Sequence, residues 1–266
     1  MADAFFEIDG EKMVPTELTR GPWDPNSQHA GPPAALLGRE IERLEGGGGG
    51  GGGGQVGRVT YEILRAVPIA PLTVSARVVR PGRRVELVEA SLADEQGEVM
   101  RANAWRLRPG PVELPAELVP DDAPPGPDAA DPTTSFFETG QDVGYHTAME
   151  YRFVTGSFVD TGPATVWMRM LHPLVPGEEP TPLQRVLIAA DSGNGVSATL
   201  DYHRYLFINV DLSVHLHRMP EGEWVCLDAV TIPQPTGIGM SDTTLYDERG
   251  QIGRAAQTLL VAERDG

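Results

Sequence analysis

Leu245-Tyr246-Asp247-Glu248-Arg249-Gly250-Gln251-Ile252-Gly253-Arg254-Ala255 aligns without a gap on the earlier stretch Leu92-Ala93-Asp94-Glu95-Gln96-Gly97-Glu98-Val99-Met100-Arg101-Ala102. Leu, Asp, Glu, Gly, Arg and Ala recur at a constant spacing of 153 residues (245 − 92). Working outward at the same offset, Arg65 meets Arg218 and Ala76 meets Ala229, so eight identities fall without a gap between residues 59–105 and 212–258. Average residue usage gives roughly two or three by chance over that length. The apolar pattern agrees as well, with Val59, Tyr61 and Ile63 falling on Leu212, Val214 and Leu216. The chain reads as two copies of one fold.

Each copy reads as a helix followed by strands. Val210, Leu212, Val214 and Leu216 alternate with Asp211, Ser213, His215 and His217, which is the period of a half-buried strand. Strict alternation puts Asn209 on the face opposite these apolar residues. Residues 224–232 read as the next strand and 252–261 as the last. Asp247-Glu248-Arg249-Gly250 between them is a hairpin turn in which Gly250 is free to take positive φ. The first half repeats the layout with strands over 59–65, 72–79 and 99–107 and a turn at 94–97. Thr181-Pro182-Leu183-Gln184 carries a helix start, with Thr181 as N-cap and Gln184 as its capping-box partner. Leu183, Val186, Leu187 and Ala190 then form one apolar face. In the first half a helix begins near Pro32-Pro33, with Ala34, Leu37, Ile41 and Leu44 at similar spacing. One amphipathic helix followed by an antiparallel sheet predicts an α+β, hotdog-like unit in tandem, a double hotdog with each sheet wrapped around a central helix.

Composition sets the boundaries. Residues 46–54 are nine consecutive glycines, a run with no side chains to pack and a high ordering entropy. It reads as a surface loop, a linker or a stand-in for other residues. Residues 109–132 are rich in Pro, Asp and Ala, a linker composition. The expected division is an N-terminal hotdog over 1–110, a Pro-rich linker over 111–133 and a C-terminal hotdog over 134–266. The formal charge of −17, with no Lys/Arg stripe, sets nucleic acid aside as a partner. One cysteine, Cys226, supports neither a disulfide framework nor a thiolate metal site. The start is acidic, without the basic region of a signal peptide, and no run reaches the ~18 apolar residues of a membrane span. The expectation is a cytoplasmic protein with no membrane partner, no metal and no cofactor. A homo-oligomeric assembly stays open.

Candidate chemistry gathers in the second half. Asp191 lies eight positions after Leu183, on the apolar stripe of its helix, where an unpaired carboxylate is costly. It reads either as a general base or as a cap for nearby backbone N–H groups. Gln257 stands between Ala255 and Leu259 on an apolar strand face, so its amide needs partners. It reads either as an orienter of water or as a cross-sheet structural bond. At the repeat offset Ala104 takes its place in the first half. His29, in Gln28-His29-Ala30-Gly31, precedes the first helix, whose free N–H groups can hold an oxyanion. Pro32 and Pro33 reduce those donors. Arg83 and Arg84 form a local cationic cluster that reads as a solvated turn or as a phosphate site. There is no Gly-x-Ser-x-Gly elbow, no phosphate-binding Gly-x-x-x-x-Gly-Lys-Ser/Thr loop and no His-Glu-x-x-His helix.

Several segments together resemble the type II acyl-CoA thioesterases, which are double-hotdog proteins. They are Gln28-His29-Ala30-Gly31, Ala189-Ala190-Asp191, the run from Asp211 to His217-Arg218-Met219-Pro220, Glu223-Trp224, and the end from Leu245 to Val261. The resemblance covers most of both halves and lies in order and spacing. It implies hydrolysis of fatty acyl-CoA to free acid and CoA, a role in lipid metabolism, with no covalent nucleophile. Asp191 and Gln257 would take the family's catalytic positions, and Asn209 would stand where the family often has Thr. His29, Gly31, Arg83 and Arg84 would bind substrate. Two further readings stand beside it. One is a double-hotdog dehydratase or hydratase pairing His29 with Asp191. The other is a non-catalytic acyl-thioester binding protein.

Overall fold

The structure is a computed structural model that describes residues 3–45, 54–115, 118, 123–132 and 136–264. Of the glycine run only Gly54 falls within them. The first half contains β1 (Phe6–Asp9), β2 (Lys12–Pro15), α1 (Gly31–Arg43), β3 (Gln55–Ile63), β4 (Thr73–Arg80), β5 (Val85–Asp94) and β6 (Gly97–Leu107). The second contains β7 (Asp131–Pro132), α2 (Tyr145–Ala148), β8 (Met149–Thr155), β9 (Ala164–Met170), α3 (Pro182–Ala190) and α4 (Gly193–Val196). It ends with β10 (Tyr205–Asn209), β11 (Asp211–Leu216), β12 (Val225–Pro233), β13 (Ile238–Asp247) and β14 (Gly250–Glu263).

The duplication survives in detail. β5 and β13 match end for end at the 153-residue offset, and β6 and β14 begin at matching residues. Among the described residues one antiparallel sheet runs β4-β5-β6-β3-β11-β14-β13-β12-β9-β8-β7, with β10 also paired to β14. The first copy's order is therefore the mirror of the second's, and the two meet where β3 pairs with β11. α1 packs against α3 as well as against β4, β5 and β6, while α3 lies on β12 and β9. A helix held between a sheet and a second helix is buried on more than one face. That explains why Leu183 and the whole run from Val186 to Ala190 are buried. Gly31 permits the close helix crossing, since a Cβ there would stand 2.4 Å from the Ile188 carbonyl oxygen.

The repeated identities have a physical reason. Arg65 Nη2 pairs with Asp94 Oδ1 at 2.5 Å and reaches the Gly97 carbonyl at 3.3 Å. Arg218 forms a fork onto both oxygens of Asp247 and reaches the Gly250 carbonyl at 2.9 Å. Gly97 and Gly250 have φ of 120° and 124°, the region that disfavours a side chain. Arg, Asp and Gly recur because each copy clamps the same hairpin turn in the same way.

The predicted helix start at Thr181 is present. Thr181 Oγ1 accepts the Gln184 N–H at 3.2 Å, and Gln184 Oε1 accepts the Thr181 N–H at 3.4 Å. The strand through Val210 differs from the sequence reading. β10 pairs Asn209 with Leu259, whereas β11 pairs Ser213 with Ala256, so the register slips by one residue around Val210. This bulge reverses the alternation. Val210, expected inside, is 47% exposed, and Phe207 is buried instead. The proline-rich segment from Pro125 on lies against the second copy. The Pro125 carbonyl accepts the Trp167 indole N–H at 2.7 Å, and Asp131–Pro132 pair with β8. Among the described residues no helix is long and apolar enough to cross a membrane.

Candidate active site

Asp191 ends α3 as its C-cap and is 4% exposed. Its carboxylate is met from three directions. Asn209 Nδ2 donates to Oδ1 at 2.8 Å, and Gln257 Nε2 lies 3.3 Å from the same oxygen. His29 Nδ1 stands 3.0 Å from Oδ2. The bulge between β10 and β11 is what turns Asn209 inward to make this contact. Asn209 Nδ2 also reaches the Asp211 carbonyl at 3.3 Å.

Gln257 ties the helix end together. Its Nε2 donates to the Asp191 carbonyl at 3.0 Å, and its Oε1 accepts the Asn194 N–H at 3.1 Å. One amide thus closes the break between α3 and α4, satisfying backbone groups a helix end would leave orphaned. Val56 and Ala104, the first-copy positions at the offset of Asn209 and Gln257, are buried and apolar.

His29 comes from the other copy, on a loop fixed by backbone bonds from His29 N–H to the Thr19 carbonyl and from Gln28 N–H to the Val67 carbonyl, both 2.8 Å. Its Nδ1 also lies 3.1 Å from the Gly31 N–H. One ring nitrogen cannot donate to Asp191 and accept from Gly31 at once. A carboxylate is an acceptor only, so the approach of Oδ2 places the proton on Nδ1. The Gly31 N–H then finds no lone pair there.

Sequence reasoning missed Tyr145, which α2 brings beneath His29. The two rings stack at 3.8 Å with 14° between their planes. The Tyr145 hydroxyl donates to the Ile188 carbonyl at 2.7 Å, which leaves its oxygen to accept from Ser192 Oγ at 3.0 Å. Burial pushes the Tyr145 phenol well above its usual range, so it stays protonated. Nothing in a four-residue helix far from residue 29 in sequence signals this stack.

Asp191, His29 and Asn209 line a cavity of about 250 Å3 whose other walls are mostly apolar and aromatic, including Ile63, Val67, Phe136, Phe158 and Phe207, with Asp24, Ser27, Gln28, Ser192 and Asn194 as further polar lining. His146 also lines it, and burial holds this imidazole below the ordinary histidine range, hence neutral at pH 7. Gly31 lies behind His29, outside the lining residues. Arg83 and Arg84 sit exposed between β4 and β5, at the end of the sheet, and do not line the cavity.

Sequence models of two consecutive domains match the chain. The acyl-CoA thioesterase N-terminal domain covers residues 19–107 and the acyl-CoA thioesterase C-terminal domain covers residues 120–261. No curated protein matches the chain. Among solved structures, a conserved hot dog fold protein of unknown function from Alicyclobacillus acidocaldarius is 17% identical with a TM-score of 0.71, over 99% of this chain and 97% of that one. An acyl-CoA thioesterase II, TesB2, from Mycobacterium marinum is 14% identical with a TM-score of 0.65, over 90% and 91%. A tesB protein from Mycobacterium avium subspecies paratuberculosis is 14% identical with a TM-score of 0.64, over 97% and 95%. At such identities the likeness is one of fold, the double hotdog.

Proposed function

The chain belongs to the acyl-CoA thioesterase family of thioester hydrolases, and on that premise we propose that it cleaves acyl-CoA with a water activated by Asp191. The observation that carries this reading is a buried carboxylate, oriented by Asn209, Gln257 and His29, at the wall of an apolar cavity. The acyl group lies in the cavity with its thioester carbonyl beside Asp191. Asp191 takes a proton from water as the oxygen attacks the carbonyl carbon. The intermediate collapses, the C–S bond breaks, and the CoA thiolate recovers the proton from Asp191. Gln257 and Asn209 hold the carboxylate in place, and Asn209 Oδ1 is left to accept from the water.

The test is a free-thiol release assay on Asp191→Ala, with circular dichroism to confirm the fold. General-base loss predicts a fall of at least about 10²-fold. Wild-type rates from a folded Asp191→Ala protein remove Asp191 from the mechanism.

The 3.0 Å contact of His29 with Asp191 also suits a dehydratase or hydratase. Gln257→Ala does not separate the two readings, because Gln257 anchors the end of α3 under either. The product does. Hydrolysis releases thiol, whereas hydration consumes an enoyl-CoA double bond and releases none.

A further inference from the structure

We propose that the acyl group accepted by this cavity carries an aromatic ring, so that the substrate class is an arylacyl-CoA rather than the straight fatty chain; this rests on the hydrolase reading above. The chain is only 6% aromatic. Yet seven of the 25 residues lining the cavity are Trp, Tyr or Phe, drawn from segments around residues 23, 136, 151 and 207. Such a concentration is a feature of this wall, not of the protein's composition.

The rings are interlocked. Trp23 stacks on Phe137 at 5.6 Å and meets Phe207 edge-on at 5.7 Å. Phe136 and Phe158 stand 4.2 Å apart, and Tyr151 meets Phe158 edge-on at 4.9 Å. Trp23 is 42% exposed at the rim, while Tyr151 and Phe207 are buried. A wall built this way offers fixed flat faces and edges from rim to floor.

Chemistry separates the two kinds of guest. An alkyl chain gains from burial alone, and any apolar wall supplies that equally. An aromatic guest also gains offset-stacked or edge-to-face contacts, beyond the area it buries. Rigid two-torsion rings do not reshape around a flexing chain as Met or Leu would. Size agrees. A cavity of about 150 Å3 takes one benzene. The cavity here, about 250 Å3, has room for a ring and a short arm reaching the carbonyl at Asp191.

Phenylacetyl-CoA and octanoyl-CoA have acyl groups of equal carbon number and the same CoA, so comparing them isolates the ring. By thiol release, wild-type kcat/KM for phenylacetyl-CoA is expected to exceed that for octanoyl-CoA by about tenfold, the yield of one or two ring contacts. Palmitoyl-CoA is expected to be poorer still. Phe137→Leu and Phe158→Leu are expected to bring the phenylacetyl-to-octanoyl ratio towards one. Calorimetric binding of the uncleavable phenylethyl and octyl thioethers of CoA reads the same preference without chemistry, with the phenylethyl compound expected to bind about tenfold tighter. Hydrolysis with octanoyl-CoA equal or ahead overturns the ring preference and leaves the hydrolase reading standing. No hydrolysis of any acyl-CoA, with the phenylethyl thioether still bound more tightly, overturns the hydrolase reading and leaves the ring preference standing. Equal binding of the two thioethers overturns the preference whatever the rates.

Discussion

Asn209 owes its place to one extra residue in its strand. The alternation of Leu212, Val214 and Leu216 was readable, and it put Asn209 on the wrong face. The slip around Val210 that corrects this leaves no mark in a period-two pattern. Asp191 and Gln257 were legible for the opposite reason, since each is a polar group on an apolar face that demands partners. Tyr145 was illegible, because its role is a stack on a residue more than a hundred positions away. If Asn209 acts by donating to Asp191 and accepting from water, a hydroxyl can do both. Asn209→Thr is therefore expected to keep kcat within about tenfold of wild type. Asn209→Leu removes a hydrogen bond to a charged group, about 1.5–3 kcal/mol, and is expected to lower kcat at least about tenfold. A folded Asn209→Leu protein with unchanged kcat would take Asn209 out of the site. His29→Phe keeps a ring over Tyr145 but removes the donor to Asp191. It is expected to retain the wild-type melting temperature within a few degrees and to lose most of kcat, read side by side in the same preparation.

At the scale of elements, the clamp on the β13–β14 turn gives a stability prediction with a sign. Burial of Asp247 would raise its carboxyl, but hydrogen bonds from Arg218 and from the Glu221 and Arg249 N–H groups outweigh that and hold it below the ordinary carboxylate range. A lowered folded value means the contribution is fully present above the unfolded carboxyl value of about 3.9 and is lost as pH falls through the folded value. Asp247→Asn breaks a pair whose carboxylate side is fully buried, at an expected cost of about 3 kcal/mol at pH 7. In urea melts the gap between wild type and Asp247→Asn should close below pH 4. A gap that stays constant down to pH 2 would show that charge is not what the clamp uses. Hairpin turns of this kind were legible because Asp and Gly sit at fixed places in them. Strands β8 and β9 were not marked by any turn signal of that strength, and the sequence reading left them out.

At the scale of the whole molecule, the duplication was legible from one offset, but its consequence was not. The site is divided between copies. His29 enters on the loop before α1, while Asp191, Asn209 and Gln257 belong to the second copy. The copies also share a core, since α1 lies on α3 and β3 pairs with β11. Separating them would expose the apolar faces of both helices and two open strand edges, the surfaces that drive aggregation. Residues 1–110 and 111–266 produced as two chains are therefore expected to be insoluble apart. Refolded together they should regain thioesterase activity, with a specific activity that rises with concentration as any bimolecular assembly does. The first copy carries Val56 and Ala104 where the second has Asn209 and Gln257, so the reassembled protein should bind one equivalent of an uncleavable acyl-CoA thioether, not two. Activity from residues 111–266 alone would show that His29 is dispensable and that the second copy is a complete enzyme. Two equivalents bound would show that the first copy's apolar counterpart still accepts an acyl group, and duplication would then have produced a catalytic site and a binding site from one ancestor fold.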